Sequence, residues 1–171
     1  YTQLTKETDF YNMVDKASLA LKSASADNEA KVIVYDQSLQ NKADLFNNVE
    51  INMLHALSRK EFLLYIQPKF SILPSGEKCC GGEVLVRWKS DVMGFLTPDK
   101  FIPQFEQNGF ILELDLYMLR HSLELITSWI RSGKQPYQLS INLSTVSLTN
   151  PSYLERMHNI MKNYDVPTDL I

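Results

Sequence analysis

The sequence predicts an α/β fold, and three observations support that class. Strand-like runs at 62–68, 82–88 and 138–144 alternate with helix-like runs, the order from which layered α/β domains are built. The run at 138–144 alternates apolar and polar residues without a break, as a strand with one covered face does. Finally, 171 residues that are 44% apolar are enough to bury a substantial core, which sets aside low-complexity disorder.

Taken in order, the first segment, 10–22, places Phe10, Met13, Val14, Ala17 and Leu21 on one stripe of a helix. After the polar stretch 23–29, the β-branched and aromatic run Lys31-Val32-Ile33-Val34-Tyr35-Asp36 predicts a strand. Residues 37–48 are rich in Gln, Asn, Asp and Lys and predict a connector, either loop or solvated helix, so a domain boundary falls there. A short helix through Met53, Leu54 and Leu57 leads into a strand at 62–68 that Pro68 should stop. The Pro74-Ser75-Gly76 turn precedes the strand 82–88, where Glu83, Leu85 and Arg87 share one face and Val84, Val86 and Trp88 the other. Gly81 and Gly82, too short a pair for a phosphate loop, suit close packing or a bulge at the strand entry.

Thr97-Pro98-Asp99 reads as a helix start and Gly109 as its stop. Leu112, Leu116, Leu119, Leu123, Ile126 and Ile130 then define a strongly amphipathic helix ended by Gly133. Beyond the strand 138–144, Asn150-Pro151 opens another helix with Leu154, Met157, Ile160, Met161 and Tyr164 on its apolar side. Asp169-Leu170-Ile171 has the look of a beginning strand.

Composition narrows the partners. Seventeen Lys+Arg against 20 Asp+Glu leave a formal charge of −3, so no overall field holds a nucleic-acid polymer or an anionic membrane, and any anionic ligand must be gripped locally. Cys79 and Cys80 are neighbours that rarely reach disulfide geometry, which argues for free thiols in a reducing compartment. The first residues lack the basic and apolar regions of a signal peptide, and the apolar runs are short, so a cytoplasmic segment without membrane contact is expected, with room for an anchor elsewhere in a parent protein.

Glu83 is the leading chemical candidate. A carboxylate in the middle of an apolar strand is desolvated at a cost of several kcal/mol unless a bound metal ion, an ion pair with Arg87 or a solvated sheet edge compensates it. Arg87 lies two residues along the pleat, about 6 to 7 Å away, near enough to share a ligand with Glu83 or to pair with it. Asn142 shares its strand face with Ser140 and Gln138. Its amide oxygen can serve a hard cation, or the face can simply be a polar edge. In a barrel of parallel strands the site lies at the strands' C-terminal ends, a placement that suits Asn142. Gln67 closes its strand in a comparable position, either on a ligand or hydrogen-bonded across the next turn. His55, His121 and His158 fall on separate helices with no ligand spacing.

Five motifs in order carry a family resemblance: Tyr65-Ile66-Gln67-Pro68, Glu83-Val84-Leu85-Val86-Arg87-Trp88, Thr97-Pro98-Asp99-Lys100-Phe101-Ile102-Pro103, Glu106 to Gly109, and Ser140-Ile141-Asn142-Leu143-Ser144. Through them, residues 51–171 resemble the first half of an EAL domain, the module that hydrolyses the bacterial second messenger cyclic di-GMP to linear pGpG. Val84 stands where the family has alanine, on the face away from Glu83. The resemblance implies a (β/α)₈ TIM-like barrel with one strand running against the others. It also implies Glu83 and Asn142 as ligands of Mg²⁺ or Mn²⁺, Arg87 on a phosphate of cyclic di-GMP, and Gln67 and Leu85 lining the substrate groove. Residues 1–36 resemble the last helix and strand of a diguanylate cyclase (GGDEF) domain, through Asp15-Lys16-Ala17 and Tyr35-Asp36, with 37–50 as connector.

Barrels of this kind take about 250 residues. The resemblance therefore implies that the remaining metal carboxylates, a catalytic lysine and a loop coupling homodimerisation to metal binding lie beyond Ile171, and that this chain alone is inactive. For the parent protein it leaves two readings, a cyclic di-GMP phosphodiesterase or a catalytically inactive EAL domain kept as a receptor or protein-interaction module. A third, without nucleotide, makes Glu83 and Arg87 a surface pair of an interaction segment.

Overall fold

A computed structural model describes residues 9–25, 32–73 and 76–171, the side chains of Ser25 and Leu73 excepted. The chain divides into two compact units, Tyr1–Ile51 and Asn52–Ile171.

In the first unit, α1 (Phe10–Ser25) forms where the apolar spacing predicts it. The expected strand at 31–36 does not. Lys31 lies outside the described residues and 32–36 are irregular. β-branched composition favours a strand only where a partner supplies the ladder, and no described strand pairs with this segment. Instead Tyr35 lies under the Lys16 ammonium, 5.3 Å from the ring centre. Asp36 accepts hydrogen bonds from the Ser38 hydroxyl (2.6 Å) and the Leu39 N–H (3.0 Å), an N-cap arrangement. These bonds hold its carboxyl below the usual range. From there α2 (Gln37–Ser58) continues without interruption, so the polar connector and the short helix after it are one element.

The second unit is a sheet backed by helices. β1 (Phe62–Leu73) pairs antiparallel with β2 (Gly76–Ser90), which pairs antiparallel with the short β3 (Gly94–Leu96) and parallel with β4 (Gln138–Ile141). The crossover from β3 to β4 carries a 3-10 turn (Pro98–Lys100), α3 (Ile102–Asn108) and α4 (Ile111–Arg131). After β4 come α5 (Thr145–Thr149), α6 (Tyr153–Met161) and a last 3-10 turn (Thr168–Leu170).

Several boundaries differ from the sequence reading for physical reasons. Pro68 does not stop β1, because among the described residues β1 pairs only with β2 and a proline's missing N–H is tolerated on an edge. Lys69 faces Gly81 while Phe70 faces Cys79, so Cys80 is the extra residue of a bulge. The glycines there are required for close approach, since a Cβ on Gly81 would lie 2.6 Å from the Gln138 carbonyl oxygen and one on Gly82 would strike the Ile66 side chain. The predicted helix 98–109 is broken at Phe101. It ends at Gly109, whose φ of 80° is left-handed. β4 ends at Ile141 because Ser144 caps a new helix, its hydroxyl accepting from the Val146 N–H. At 169–171 a 3-10 turn replaces the expected strand.

The core lies between one face of the sheet and the helices. Trp88, Phe101 and Phe105 are wholly buried and Phe62 nearly so, with ring centres 5.0 to 6.0 Å apart. The Trp88 indole N–H donates to the buried Glu61 carboxylate at 2.9 Å. From α4, Leu116, Leu119, Leu123 and Ile126 join this layer as their periodicity requires. Among the described residues no helix is long and apolar enough to cross a membrane.

Candidate functional site

β2 turns alternate residues to opposite sides. Val84 and Trp88 are buried against the helices, while Glu83, Leu85 and Arg87 are half-buried on the other side. Register sets their neighbours. Gln67 of β1 and Ser140 of β4 both lie opposite Glu83, while Tyr65 faces Leu85 and Leu63 faces Arg87. A row Gln67–Glu83–Ser140 thus crosses three strands on one face.

Asn142 sits one residue past the end of β4. Its Nδ2 donates to Glu83 Oε1 at 2.7 Å, joining groups 59 residues apart in the chain. Glu83 forms no ion pair with Arg87. The guanidinium instead donates to the Val86 carbonyl at 2.7 Å and stands 5.8 Å from the Tyr65 ring centre. Tyr65 in turn meets Phe95 edge to face at 6.0 Å. Gln67 is exposed on the same face. The structure therefore brings Glu83 and Asn142 into contact and sets Gln67, Leu85 and Arg87 around them without bonding them together.

Glu83 and Asn142 supply hard oxygen donors of the kind that suit Mg²⁺ or Mn²⁺, and Mg²⁺ is ordinarily held by one or two carboxylates while keeping several waters. Turning the Asn142 amide would aim its oxygen, in place of its nitrogen, at an ion bound to Glu83. Among the described residues no three His, Cys, Asp or Glu side chains are grouped to hold a metal. The histidines stay apart: His55 and His158 are exposed, and His121 stacks on Tyr117 with ring centres 3.9 Å apart. Cys79 and Cys80 are both free thiols.

Two features escaped the sequence reading. The Lys69 ammonium donates to the Ser140 hydroxyl at 2.6 Å and so adds a cation to this face. Its position two residues after Gln67 on one strand was the available signal. Asp115, on the buried side of α4, accepts from the Ser147 hydroxyl at 2.6 Å and the Ser144 N–H at 3.1 Å. Burial pushes its carboxyl above the usual range against the pull of these bonds, with nearby Glu106 adding to the rise. No periodicity marks Asp115, since it interrupts an otherwise apolar stripe.

Comparison with known proteins gives one family. Residues 51–171 match the family model of the EAL domain. The chain is 31% identical over 150 residues to the Biofilm architecture maintenance protein MbaA of Vibrio cholerae, covering 88% of this chain and 19% of that protein. It is 34% identical over 105 residues to the cyclic di-GMP phosphodiesterase PA2567 of Pseudomonas aeruginosa, covering 61% of this chain and 17% of that protein. Among solved structures, the PaMucR phosphodiesterase in complex with c-di-GMP superposes with a TM-score of 0.62 at 24% identity, over 70% of this chain and 47% of that one, a likeness of fold. The chain thus spans about a fifth of the length of these curated relatives.

Proposed function

The chain belongs to the EAL-domain family, and from that premise we propose that it is part of a cyclic di-GMP phosphodiesterase that hydrolyses the dinucleotide to pGpG. One observation carries the reading. Glu83 of β2 and Asn142, one residue past the parallel strand β4, come within 2.7 Å on the face away from the core, with Gln67 and Arg87 beside them.

In this reading Glu83 and Asn142 hold Mg²⁺ or Mn²⁺. When bound, the metal supplies an activated water and neutralises charge on the phosphodiester. Arg87 meets a phosphate oxygen of the substrate, a task for which a guanidinium is well shaped. Tyr65 and the Val86 carbonyl hold that guanidinium on the site face. Gln67 and Leu85 bound the groove on either side of Glu83 and orient the ligand. The −3 net charge is no obstacle, because the anion is gripped by local cations.

Catalysis belongs to the full-length protein, since a carboxylate and an amide are too few ligands for the complete chemistry and this chain alone would not turn over. There the domain completes a TIM-like barrel, works in the cytoplasm and pairs as a homodimer. Residues 1–36 are the end of a diguanylate cyclase-like domain, a reading that rests on Asp15-Lys16-Ala17 on α1 and on Tyr35-Asp36, and 37–50 link it to the EAL domain.

The test is an assay of the full-length protein with cyclic di-GMP and Mg²⁺ or Mn²⁺, following pGpG by chromatography. The wild type should release pGpG and Glu83→Ala should lose it. Tight binding of cyclic di-GMP without release would replace this reading with that of an inactive receptor. Equal turnover by the two proteins would remove Glu83 from the chemistry.

A further inference from the structure

Asn142 presents a problem of positioning. It lies beyond the last ladder residue of β4, among the three residues that join β4 to α5, so strand pairing does not fix it. On its other side, two residues on, Ser144 is held from three directions. Its N–H donates to Asp115 Oδ2 of α4 at 3.1 Å, its hydroxyl donates to Glu106 Oε1 of α3 at 2.7 Å, and the same hydroxyl caps α5 by accepting from the Val146 N–H at 3.2 Å. Ser147, wholly buried in α5, donates its hydroxyl to the same Asp115 oxygen at 2.6 Å.

Asp115 is 6% exposed on the buried side of α4, flanked in sequence by the buried Leu114 and Leu116. Burying a carboxylate there costs several kcal/mol, and its hydrogen bonds come from the segment that follows Asn142. An apolar residue at 115 would pack a helix as well but would remove the Ser144 N–H bond and the Ser147 bond, leaving Ser144 held by Glu106 and its helix cap alone.

Resting on the metal-site reading of Glu83 and Asn142, we propose that Asp115 is a positioning residue: through Ser144 and Ser147 it holds the 142–144 segment so that the Asn142 amide stays beside Glu83, where its oxygen can join a shared metal. It touches neither metal nor substrate. Partners that orient a ligand in this way typically change metal affinity about 10- to 100-fold when removed.

The experiment is a Mn²⁺ titration of the full-length protein, followed by the spin-resonance signal of free Mn²⁺, with Glu83→Ala defining the site-dependent part. Asp115→Leu, which packs α4 but accepts no hydrogen bond, should weaken that part about tenfold, and Ser147→Ala, which removes one donor, should weaken it less. In an Asn142→Ala background both losses should fall within about twofold of nothing, while the drop in unfolding temperature stays the same in both backgrounds. That contrast separates positioning from general destabilisation. If Asp115→Leu does not fold, the Ser147→Ala cycle decides alone. Equal losses of affinity with and without Asn142, or no loss in a folded variant, would overturn the inference. Unchanged Mn²⁺ binding by Glu83→Ala would overturn the metal-site reading first and this inference with it.

Discussion

The two faces of β2 are built from alternate residues of one strand and do opposite things. On one side Trp88 is wholly buried and Val84 nearly so, in a layer of aromatic rings whose one polar group, the indole N–H, is satisfied by Glu61. On the other, Glu83, Leu85 and Arg87 are half-buried, and the two charged groups make hydrogen bonds and one ring contact. Burial is concentrated on the first face and the proposed chemistry on the second, so a period of two residues should separate substitutions that unfold the domain from substitutions that silence it.

The largest effect should come from emptying the packed face. Trp88→Ala should lower unfolding free energy by about 3–5 kcal/mol, read from denaturant titration, and a change under about 1 kcal/mol would show that the aromatic layer does not organise this unit. On the other face Arg87→Ala should leave stability within about 0.5 kcal/mol while weakening cyclic di-GMP binding about tenfold in calorimetry, the value of one hydrogen bond to a charged group. If that variant unfolds more readily than Trp88→Ala, the division between the faces is wrong.

The smallest effect lies outside both faces, at the exposed pair Glu113–Arg156, whose two contacts are each 2.8 Å. The hydrogen bond from Arg156 holds the Glu113 carboxyl below its usual range. A depressed carboxyl contributes stability at pH above its ordinary value and loses it as pH falls through the folded value. Glu113→Gln should therefore cost no more than about 1 kcal/mol at pH 7, and the gap from wild type should close in acid. A gap that widens in acid would reverse the assigned sign.

Much of this contrast is legible in the amino-acid sequence. The alternation of Glu83, Leu85 and Arg87 with Val84 and Trp88 follows from the pleat, and Gly109 and Gly133 stand in left-handed conformations at the helix ends they mark, with φ of 80° and 69°. What fails to show there depends on partners distant in the chain. Pro68 reads as a stop because nothing local says that β1 is an edge. Residues 31–36 read as a strand because composition carries no information about a missing ladder partner. Ser144 continues an alternating pattern while acting as a helix cap. Asp115 is hidden most completely, since its donors lie 29 and 32 residues further along and only the fold brings them together.

The most direct test of the central claim is crystallographic. Crystals of the full-length protein grown with Mn²⁺ and cyclic di-GMP would locate the metal by its anomalous signal. A Mn²⁺ peak is expected about 2.0–2.6 Å from a Glu83 carboxylate oxygen and from Asn142 Oδ1, with a phosphate of the dinucleotide at Arg87. A Mn²⁺ peak elsewhere, with Asn142 still donating its nitrogen to Glu83 and no ligand at Arg87, would contradict it.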